Sequence, residues 1–412
     1  MKDAFRGKWL LCWLLFAATA LSFLDRQVLS VLAPTLTAEF GLSNTAYSQV
    51  VFAFQLSYLL MSGIGGRVMD RLGTRVGMAL SVGVWSVASA AHSLVTGLVG
   101  LGVVRLFLGF GEGSTFPGAT KGATEWFPIE KRVLAIGIAN GGSAFGAVIA
   151  PPLTAHFAAR FGWRAVFVMT GALGLLWLVV WLGVFRFNSV ETPPYAVKTP
   201  VSLRQLLASK EVRWALLSRF LFDPVFYFYM FWIPQYLAKE RGFSLEQIGN
   251  YYWIPFMVLG LSNIFGGHLS DSLVRRGWPT RKTRGVLLAV AALMTPVSGL
   301  AAVAPNTAWA VGLMSCLMLA HGLWISNFLG LLNDICPSSA IATLTGVSGT
   351  IGGIGGLLSN LAIGPMVDRY SFTPAFIASG LLYPAALLAL LLGGVLRDNS
   401  GVETGSTAIF GE

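Results

Sequence analysis

Twelve long apolar runs divide this sequence and restrict what it can fold into. An α-helix needs about 20 mostly apolar residues to cross the hydrocarbon core of a bilayer, and each run has about that length. Of the 412 residues, 55% are hydrophobic and 11% are charged, whereas soluble domains carry about 25% charged residues. The sequence therefore predicts an all-α membrane protein with twelve transmembrane helices at residues 9–31, 46–66, 77–95, 98–118, 134–156, 164–185, 213–237, 247–270, 286–304, 308–331, 344–366 and 374–396.

The basic residues predict the orientation of these spans. The net charge is +10, and in a membrane protein such an excess reflects Lys and Arg retained in cytoplasmic loops rather than nucleic-acid binding. With the N-terminus inside, 20 of the 28 Lys and Arg fall on the cytoplasmic side. Both termini are therefore predicted to be cytoplasmic.

A polar stretch between the sixth and seventh spans predicts the domain organisation. We expect an N-terminal six-helix bundle at 1–186, a cytoplasmic linker at 187–212, and a C-terminal bundle with a short cytoplasmic tail at 213–412. The halves resemble each other, because Gly66 and Asp70 after the second span match Gly267 and Asp271 after the eighth, 201 residues later. Such parallel repeats predict two pseudo-symmetric bundles related by an axis along the membrane normal.

The segment GRVMDRLGTR at 66–75 resembles the loop motif that joins the second and third helices in the major facilitator superfamily. Thr74 departs from that motif, which has a basic residue there. With the twelve spans, the linker and the repeat, the resemblance implies the major facilitator fold. It also implies a structural or gating role, steadying the outward-facing state, for the motif positions Gly66, Asp70, Arg71 and Arg75 and for their counterpart Asp271.

Charged residues inside the spans point to a functional site. Asp25 and Arg26 lie in the first span, and Arg105 and Glu112 lie in the fourth. Adjacent helical residues point about 100° apart, whereas residues seven apart share one face, so Asp25 and Arg26 each need a partner elsewhere. Charges at membrane depth are costly and usually functional. An anion that competes for the arginines would change the proton affinity of the carboxylates, which links anion binding to proton binding.

These pairs resemble those of the anion:cation symporter family, which imports organic acids with protons in bacteria. The resemblance implies that Asp25 and Glu112 carry protons and that Arg105 binds the substrate carboxylate. It also implies substrate contacts for Arg26 and for three further positions, Tyr58, Asn140 and Ser143. Phe23 departs from relatives that have Tyr there.

Three runs, 121–153, 218–234 and 241–249, resemble the hexuronate transporters within that family. Taken together with the positions named above, the resemblance to this family covers nearly the whole chain. It implies that the substrate is a sugar acid such as galacturonate or glucuronate.

The C-terminal half supplies further candidates. Arg219 and Asp223 are i,i+4 neighbours in the seventh span, a spacing at which side chains meet, and we interpret them as a structural or gating pair. Aromatic side chains in this half either stack on a sugar ring or belong to lipid-facing belts. The candidates for substrate contact here are Tyr229, Trp253, His321 and Asn327.

The sequence thus predicts a proton-coupled symporter that imports a sugar acid across the bacterial inner membrane, acts as a monomer and needs no cofactor. The alternatives are a symporter of another organic anion (an aldonate, an aldarate or a small carboxylate) and an efflux antiporter, which the two arginines disfavour. Sodium stays open as the coupling ion. We find neither a catalytic constellation nor a phosphate-binding loop in the sequence, and we do not expect an enzyme. The three Cys lack the spacing of a metal site.

Overall fold

The computed structural model describes residues 2–187, 203–336 and 340–397, and every regular element in these residues is helical. Most of the predicted linker (188–202) and the end of the predicted tail (398–412) lie outside them. The helices are α1 (Lys2–Glu39), α2 (Asn44–Ala91), α3 (Leu98–Glu112), α4 (Thr115–Trp126), α5 (Ile129–Phe161), α6 (Trp163–Phe187), α7 (Leu203–Ala208), α8 (Lys210–Arg241), α9 (Leu245–Tyr251), α10 (Trp253–Arg275), α11 (Thr280–Met294), α12 (Ser298–Ala301), α13 (Thr307–Asp334), α14 (Ile341–Arg369) and α15 (Thr373–Leu392).

Within the described residues, ten helical segments are long and apolar enough to cross a membrane. One of them, Asn44–Leu94, contains both the second and the third predicted span. The eighth predicted span coincides with α9 and α10, which are not among the ten. With these two adjustments the helices match the twelve predicted spans, and the all-α membrane fold is confirmed.

The connection between the second and third spans differs from the sequence prediction. The loop expected at 66–75 is helical, and α2 runs through it with one interruption at Gly73. Gly73 has φ 75° and ψ 158°, a conformation that glycine adopts readily because it has no Cβ. The two spans are therefore joined by a kink rather than by a loop.

The fourth predicted span also differs from a single continuous helix. It is divided into α3, which ends at Glu112, and α4, which begins at Thr115. The Ser81 hydroxyl donates a 2.6 Å hydrogen bond to the carbonyl oxygen of Gly111 near this break. Glu112 therefore lies at a helix end.

The chain forms two compact units. The first contains the described part of Met1–Ala196 together with Met230–Trp253 and Asn360–Asp368. Glycines allow its helices to approach closely, because a Cβ at Gly142 or Gly146 of α5 would clash with backbone oxygens of α1. Likewise, a Cβ at Gly109 or Gly113 of α3 would clash with backbone oxygens of the first half of α2.

The second unit contains the described parts of Val197–Tyr229, Ile254–Ser359 and Arg369–Glu412. Here Gly322 of α13 lies against the backbone of α10, and Gly355 of α14 lies against the Phe220 carbonyl of α8. Asn306 caps α13 by accepting a 3.0 Å hydrogen bond from the backbone N–H of Trp309. Close packing at small residues is typical of helices that associate inside a membrane.

Many large apolar side chains lie on the outer surface of these helices. Leu94, Val99 and Leu293 are among them, with exposed fractions of 81%, 78% and 80%. In water such a surface would be unfavourable, since each buried CH₂ contributes about 0.8 kcal/mol. The hydrocarbon core of a bilayer removes this cost, which agrees with the membrane location that the apolar composition predicts.

Candidate functional site

Two adjacent charged residues in α1 are buried in the first unit. Asp25 is 2% exposed and Arg26 is 5% exposed. Because neighbouring residues on a helix diverge by about 100°, their side chains bond to different groups, Arg26 to Glu112 of α3 and Asp25 to Ser89 near the end of α2. Each therefore has its own set of partners.

Arg26 forms an ion pair with Glu112. Its Nε donates to Oε2 of Glu112 at 2.7 Å, and the Ser22 hydroxyl donates to the same oxygen at 2.9 Å. The other carboxylate oxygen, Oε1, is buried without a hydrogen-bond partner. The ion pair thus satisfies only half of the Glu112 carboxylate.

Aromatic rings surround the Arg26 guanidinium. Its Cζ lies 4.2 Å from the ring centroid of Tyr58, 4.6 Å from that of Phe23 and 5.6 Å from that of Phe54. Phe54 and Tyr58 are stacked on each other, with centroids 5.8 Å apart. Cation–π contacts at these distances stabilise a cation that is removed from water.

Asp25 is hydrogen-bonded to a hydroxyl group rather than to a cationic side chain. The Ser89 hydroxyl donates to its Oδ1 at 2.7 Å, and Ser89 in turn is 2.8 Å from the Thr170 hydroxyl. The second oxygen, Oδ2, is buried and has no hydrogen-bond partner. Asp25 therefore lies at the end of a short chain of hydroxyl groups that joins α1, α2 and α6.

Arg105 of α3 is the least satisfied charged group in the described part of the chain. It is 0% exposed, and its Nε, Nη1 and Nη2 all lack a hydrogen-bond partner. Phe54 is its cation–π neighbour, with the ring centroid 5.8 Å from Cζ. A guanidinium has five N–H donors in a planar fork that matches a carboxylate. The site therefore has the donors to bind a carboxylate.

Asn140 and Ser143 of α5 are also in the first unit. The Asn140 amide nitrogen is 3.5 Å from the Thr120 hydroxyl, and its Oδ1 is buried without a hydrogen-bond partner. The Ser143 hydroxyl donates to the Asn140 carbonyl at 2.8 Å. Asn140 thus keeps a free acceptor, whereas the Ser143 proton is used within α5.

The second unit has its own buried polar cluster. Arg219 Nε donates to Oδ2 of Asp223 at 2.8 Å, the i,i+4 contact that the spacing predicts. His321 is hydrogen-bonded to the Tyr383 hydroxyl and stacks on Phe226, with centroids 5.3 Å apart. These contacts fix the His321 ring in place.

The remaining candidates for substrate contact differ in how many of their polar atoms have a hydrogen-bond partner. Asn327 is 1% exposed, donates to the Leu323 carbonyl at 2.8 Å, and has an Oδ1 without a hydrogen-bond partner. The Tyr229 hydroxyl is 2.9 Å from that of Ser298. Trp253, which belongs to the first unit, donates from its indole nitrogen to the Asn250 carbonyl at 2.9 Å.

Comparison with known proteins identifies the family. The family profile described as Major Facilitator Superfamily matches residues 15–360. This chain belongs to the Major Facilitator Superfamily.

Among the curated relatives of this superfamily member, the hexuronate transporter of Escherichia coli K12 is 28% identical over 415 residues, covering 96% of this chain and 95% of the relative. The galacturonate transporter of Dickeya chrysanthemi is 31% identical over 279 residues, covering 64% and 81%. The solved D-xylose–proton symporter superposes with a TM-score of 0.73 at 16% identity, covering 95% and 98%. That structural likeness shows the major facilitator fold of two pseudo-symmetric six-helix bundles.

Two positions of the superfamily loop motif, exposed Asp70 and buried Thr74, join a polar network with residues of α4. Asp70 accepts a 2.6 Å hydrogen bond from Lys121, and Lys121 is 3.3 Å from Glu125. Thr74, which stands where the motif has a basic residue, donates to Glu125 at 2.7 Å. The hydroxyl therefore joins this network.

The other motif positions have fewer polar contacts. Gly66 has open space around its Cβ position. Arg71 and Asp271 are exposed, and exposed Arg75 accepts a 3.0 Å hydrogen bond at its carbonyl oxygen from the Trp181 indole.

Sequence reasoning did not find several residues that complete the first unit's site. Ser22 and Ser89 donate to the carboxylates, Thr170 is hydrogen-bonded to Ser89, and Phe54 lies near both arginines. Hydroxyl and aromatic residues occur throughout the spans, so their presence gave no signal. The spacing from Phe54 to Tyr58, about one helical turn, was the one available signal that these two rings share a face, and it did not enter the sequence prediction.

Proposed function

We propose that this chain is a proton-coupled symporter that imports a hexuronate, such as galacturonate or glucuronate, across the bacterial inner membrane. It transports by alternating access as a monomer, with both termini in the cytoplasm. Its halves are 1–186 and 213–412, joined by a cytoplasmic linker at 187–212. The proposal rests on one observation above all, the buried guanidinium of Arg105 without a hydrogen-bond partner.

Arg105 binds the substrate carboxylate in this proposal. An unpaired buried charge is costly, and a carboxylate that accepts two parallel N–H···O bonds removes that cost. The stacked rings of Phe54 and Tyr58 lie beside the arginines and offer an apolar face to a sugar ring. Relatives that carry hexuronate and galacturonate support this choice of substrate.

Glu112 couples substrate binding to protons. Its carboxylate holds Arg26 at 2.7 Å, and a proton on Glu112 would weaken that ion pair. Arg26 would then be free to bind the incoming anion together with Arg105. Release of the substrate would restore the ion pair and expel the proton.

Asp25 resets the empty carrier. Its free Oδ2 offers a site for a proton, and its hydrogen bond comes from the Ser89 hydroxyl, so that Asp25 can be protonated without breaking a hydrogen-bonded ion pair. Asp25→Asn should therefore abolish uphill uptake, while exchange of labelled for unlabelled substrate is at least partly retained.

Reconstituted transport tests the proposal. Proteoliposomes containing the purified chain should accumulate labelled D-galacturonate or D-glucuronate when the inside is alkaline, and an imposed sodium gradient at equal pH should not drive accumulation. If neither gradient drives uptake of either acid, or if only the sodium gradient does, the proposal is wrong.

Arg105→Lys tests the role of the guanidinium. Lysine keeps the charge but not the planar fork, so this variant should lose hexuronate binding as well as transport. Binding can be measured by isothermal titration calorimetry on purified protein. Wild-type affinity in Arg105→Lys would mean that Arg105 does not bind the carboxylate in a bidentate way.

The second candidate function is symport of another organic anion. The D-galactonate transporter of Escherichia coli O6:H1 is 27% identical over 426 residues, covering 95% of this chain and 97% of the relative. Counterflow with hexuronates, aldonates and aldarates in parallel separates these substrates. An efflux antiporter for lipophilic cations fits poorly, because both arginines would repel its substrate.

A further inference from the structure

Gln55 of α2 is a buried amide with one satisfied end and one free end. It is 4% exposed. Its Oε1 accepts a 3.0 Å hydrogen bond from Nδ2 of Asn360, whereas its Nε2 has no hydrogen-bond partner. All of these groups belong to the first compact unit.

The orientation of Gln55 is set by the indole of Trp232. An indole N–H can only donate, and it donates to Oδ1 of Asn360 at 2.6 Å. The NH₂ group of Asn360 must therefore donate to Gln55, and the side-chain oxygen of Gln55 must accept. This chain of bonds leaves the NH₂ group of Gln55 as the free end, independently of how either amide would be assigned by itself.

Trp232 is itself well fixed. It is 0% exposed and makes an edge-to-face contact with Tyr47, with centroids 5.2 Å apart. The Tyr47 hydroxyl donates to the Phe231 carbonyl at 2.9 Å. Trp232 and Asn360 are thus positioning residues for Gln55.

Gln55 lies next to the residues that surround the arginines. It follows Phe54, whose ring lies 5.6 Å from Arg26 and 5.8 Å from Arg105. It precedes Tyr58 by three positions, and helical residues at that spacing are neighbours on one face, about 5–6 Å apart between Cβ atoms. Gln55 therefore lies within one helical turn of both rings that contact the arginines.

We propose that the Gln55 NH₂ group donates a hydrogen bond to a hydroxyl oxygen of the substrate, so that Gln55 selects polyhydroxylated acids over simple carboxylates. This inference rests on the function proposed above. A site that offers a fixed hydrogen-bond donor discriminates against analogues that cannot use it, because the donor is then left unpaired. The arginines supply the affinity for any carboxylate, and Gln55 supplies the preference for a sugar.

Two ligands and two variants test this inference. D-Galacturonate is compared with tetrahydropyran-2-carboxylate, which has the ring and the carboxylate but no hydroxyl groups. Gln55→Met keeps the volume and removes the amide. Trp232→Phe keeps an aromatic ring but removes the indole donor that orients Asn360, together with part of the ring volume. Thermal unfolding verifies that both variants are folded.

We expect Gln55→Met to weaken galacturonate binding about tenfold, the effect of losing one net hydrogen bond, with less than about a twofold change for tetrahydropyran-2-carboxylate. Trp232→Phe should weaken galacturonate binding in the same direction by a smaller factor. If Gln55→Met changes both affinities equally, or neither, the inference is wrong. If the wild-type chain binds neither galacturonate nor glucuronate, the proposed function itself fails.

Discussion

Replacing Arg105 by methionine should stabilise the ligand-free protein, although Arg105 is the residue proposed to bind substrate. Its guanidinium is fully buried, and none of its nitrogens has a hydrogen-bond partner. Each buried donor left unpaired costs about 1–3 kcal/mol, but these costs are not additive, and attraction to nearby carboxylates offsets part of them. Replacing buried ionic groups by apolar ones of similar volume commonly gains about 1–4 kcal/mol, and we expect a gain in that range.

Arg26→Met is the matched control and should have the opposite sign. Arg26 is also buried, but it is paired with Glu112. Removing one member of a buried pair costs about 3–5 kcal/mol because the other charge is stranded. This deficit should shrink as the pH falls, since protonation of Glu112 removes the stranded charge.

Thermal unfolding in detergent can measure both effects, with the 13 tryptophans as the fluorescence probe. Without ligand, Arg105→Met should unfold several degrees above wild type and Arg26→Met several degrees below. Saturating D-galacturonate should raise the unfolding temperature of wild type, because ligand binding to the folded state stabilises it, and should leave Arg105→Met unchanged. Equal destabilisation by both substitutions would mean that Arg105 holds the fold together, and the argument for a substrate clamp would fail.

Three further substitutions have expected outcomes. Gly142→Ala should lower the unfolding temperature because its Cβ would clash with the backbone of α1, whereas Gly141→Ala, which has open space, should not. Asp368→Ala removes four hydrogen bonds to the first residues of α2 and should cost about 0.5–2 kcal/mol, as lost helix caps do, measured by the same unfolding assay. Glu112→Gln mimics a permanently protonated acid, so proteoliposomes should still exchange labelled substrate but no longer accumulate it along a pH gradient; accumulation like that of wild type would exclude Glu112 as the coupling site.

The helices could be predicted from the sequence because membrane thickness fixes the length of an apolar span. Their interruptions could not. The kink in α2 depends on the positive φ of Gly73, but the sequence contains 48 glycines and most of them remain helical or extended. The break after Glu112 has Gly113 at the C-cap, a residue typical of helix ends, but Gly109 and Gly111 precede it within α3, so glycine alone did not single out Glu112 as the helix end.

The charged residues of the site stood out in the sequence because charges within apolar runs are rare. Their pairing did not, since it depends on how α1 and α3 are rotated about their axes. The spacing suggested that Arg105 and Glu112 share a face, yet Glu112 pairs with Arg26 and leaves Arg105 without a hydrogen bond. The most informative property of the site, a buried guanidinium without a hydrogen-bond partner, is therefore visible only in three dimensions.

The segment 364–369 has the same glycine and aspartate spacing as the start of the loop motif, and here the structure gives it a clear packing role. A Cβ at Gly364 would lie 2.6 Å from the Ser48 hydroxyl, so glycine lets α14 approach the start of α2. One turn later, Asp368 accepts hydrogen bonds from the backbone and side chain of both Asn44 and Thr45, at 2.6–2.9 Å. A carboxylate at this position is favourable, because the first backbone N–H groups of a helix have no partner within it.

In the loop motif at 66–75, the glycine and the aspartate have different roles. Gly66 has open space beside it, and Asp70 pairs with Lys121 rather than with a helix end. A glycine four residues before an aspartate therefore places a small residue and a carboxylate on one face of a helix. Whether the glycine allows close packing and what the carboxylate binds depend on the neighbouring helix. We expect Gly364 and Asp368 to act together, so that Gly364→Ala weakens the Asp368 cap as well as the packing. Adding Asp368→Ala to the Gly364→Ala variant should then cost less stability than Asp368→Ala costs in the wild-type chain. Additive losses in this double-mutant cycle would mean that the two residues stabilise the fold independently.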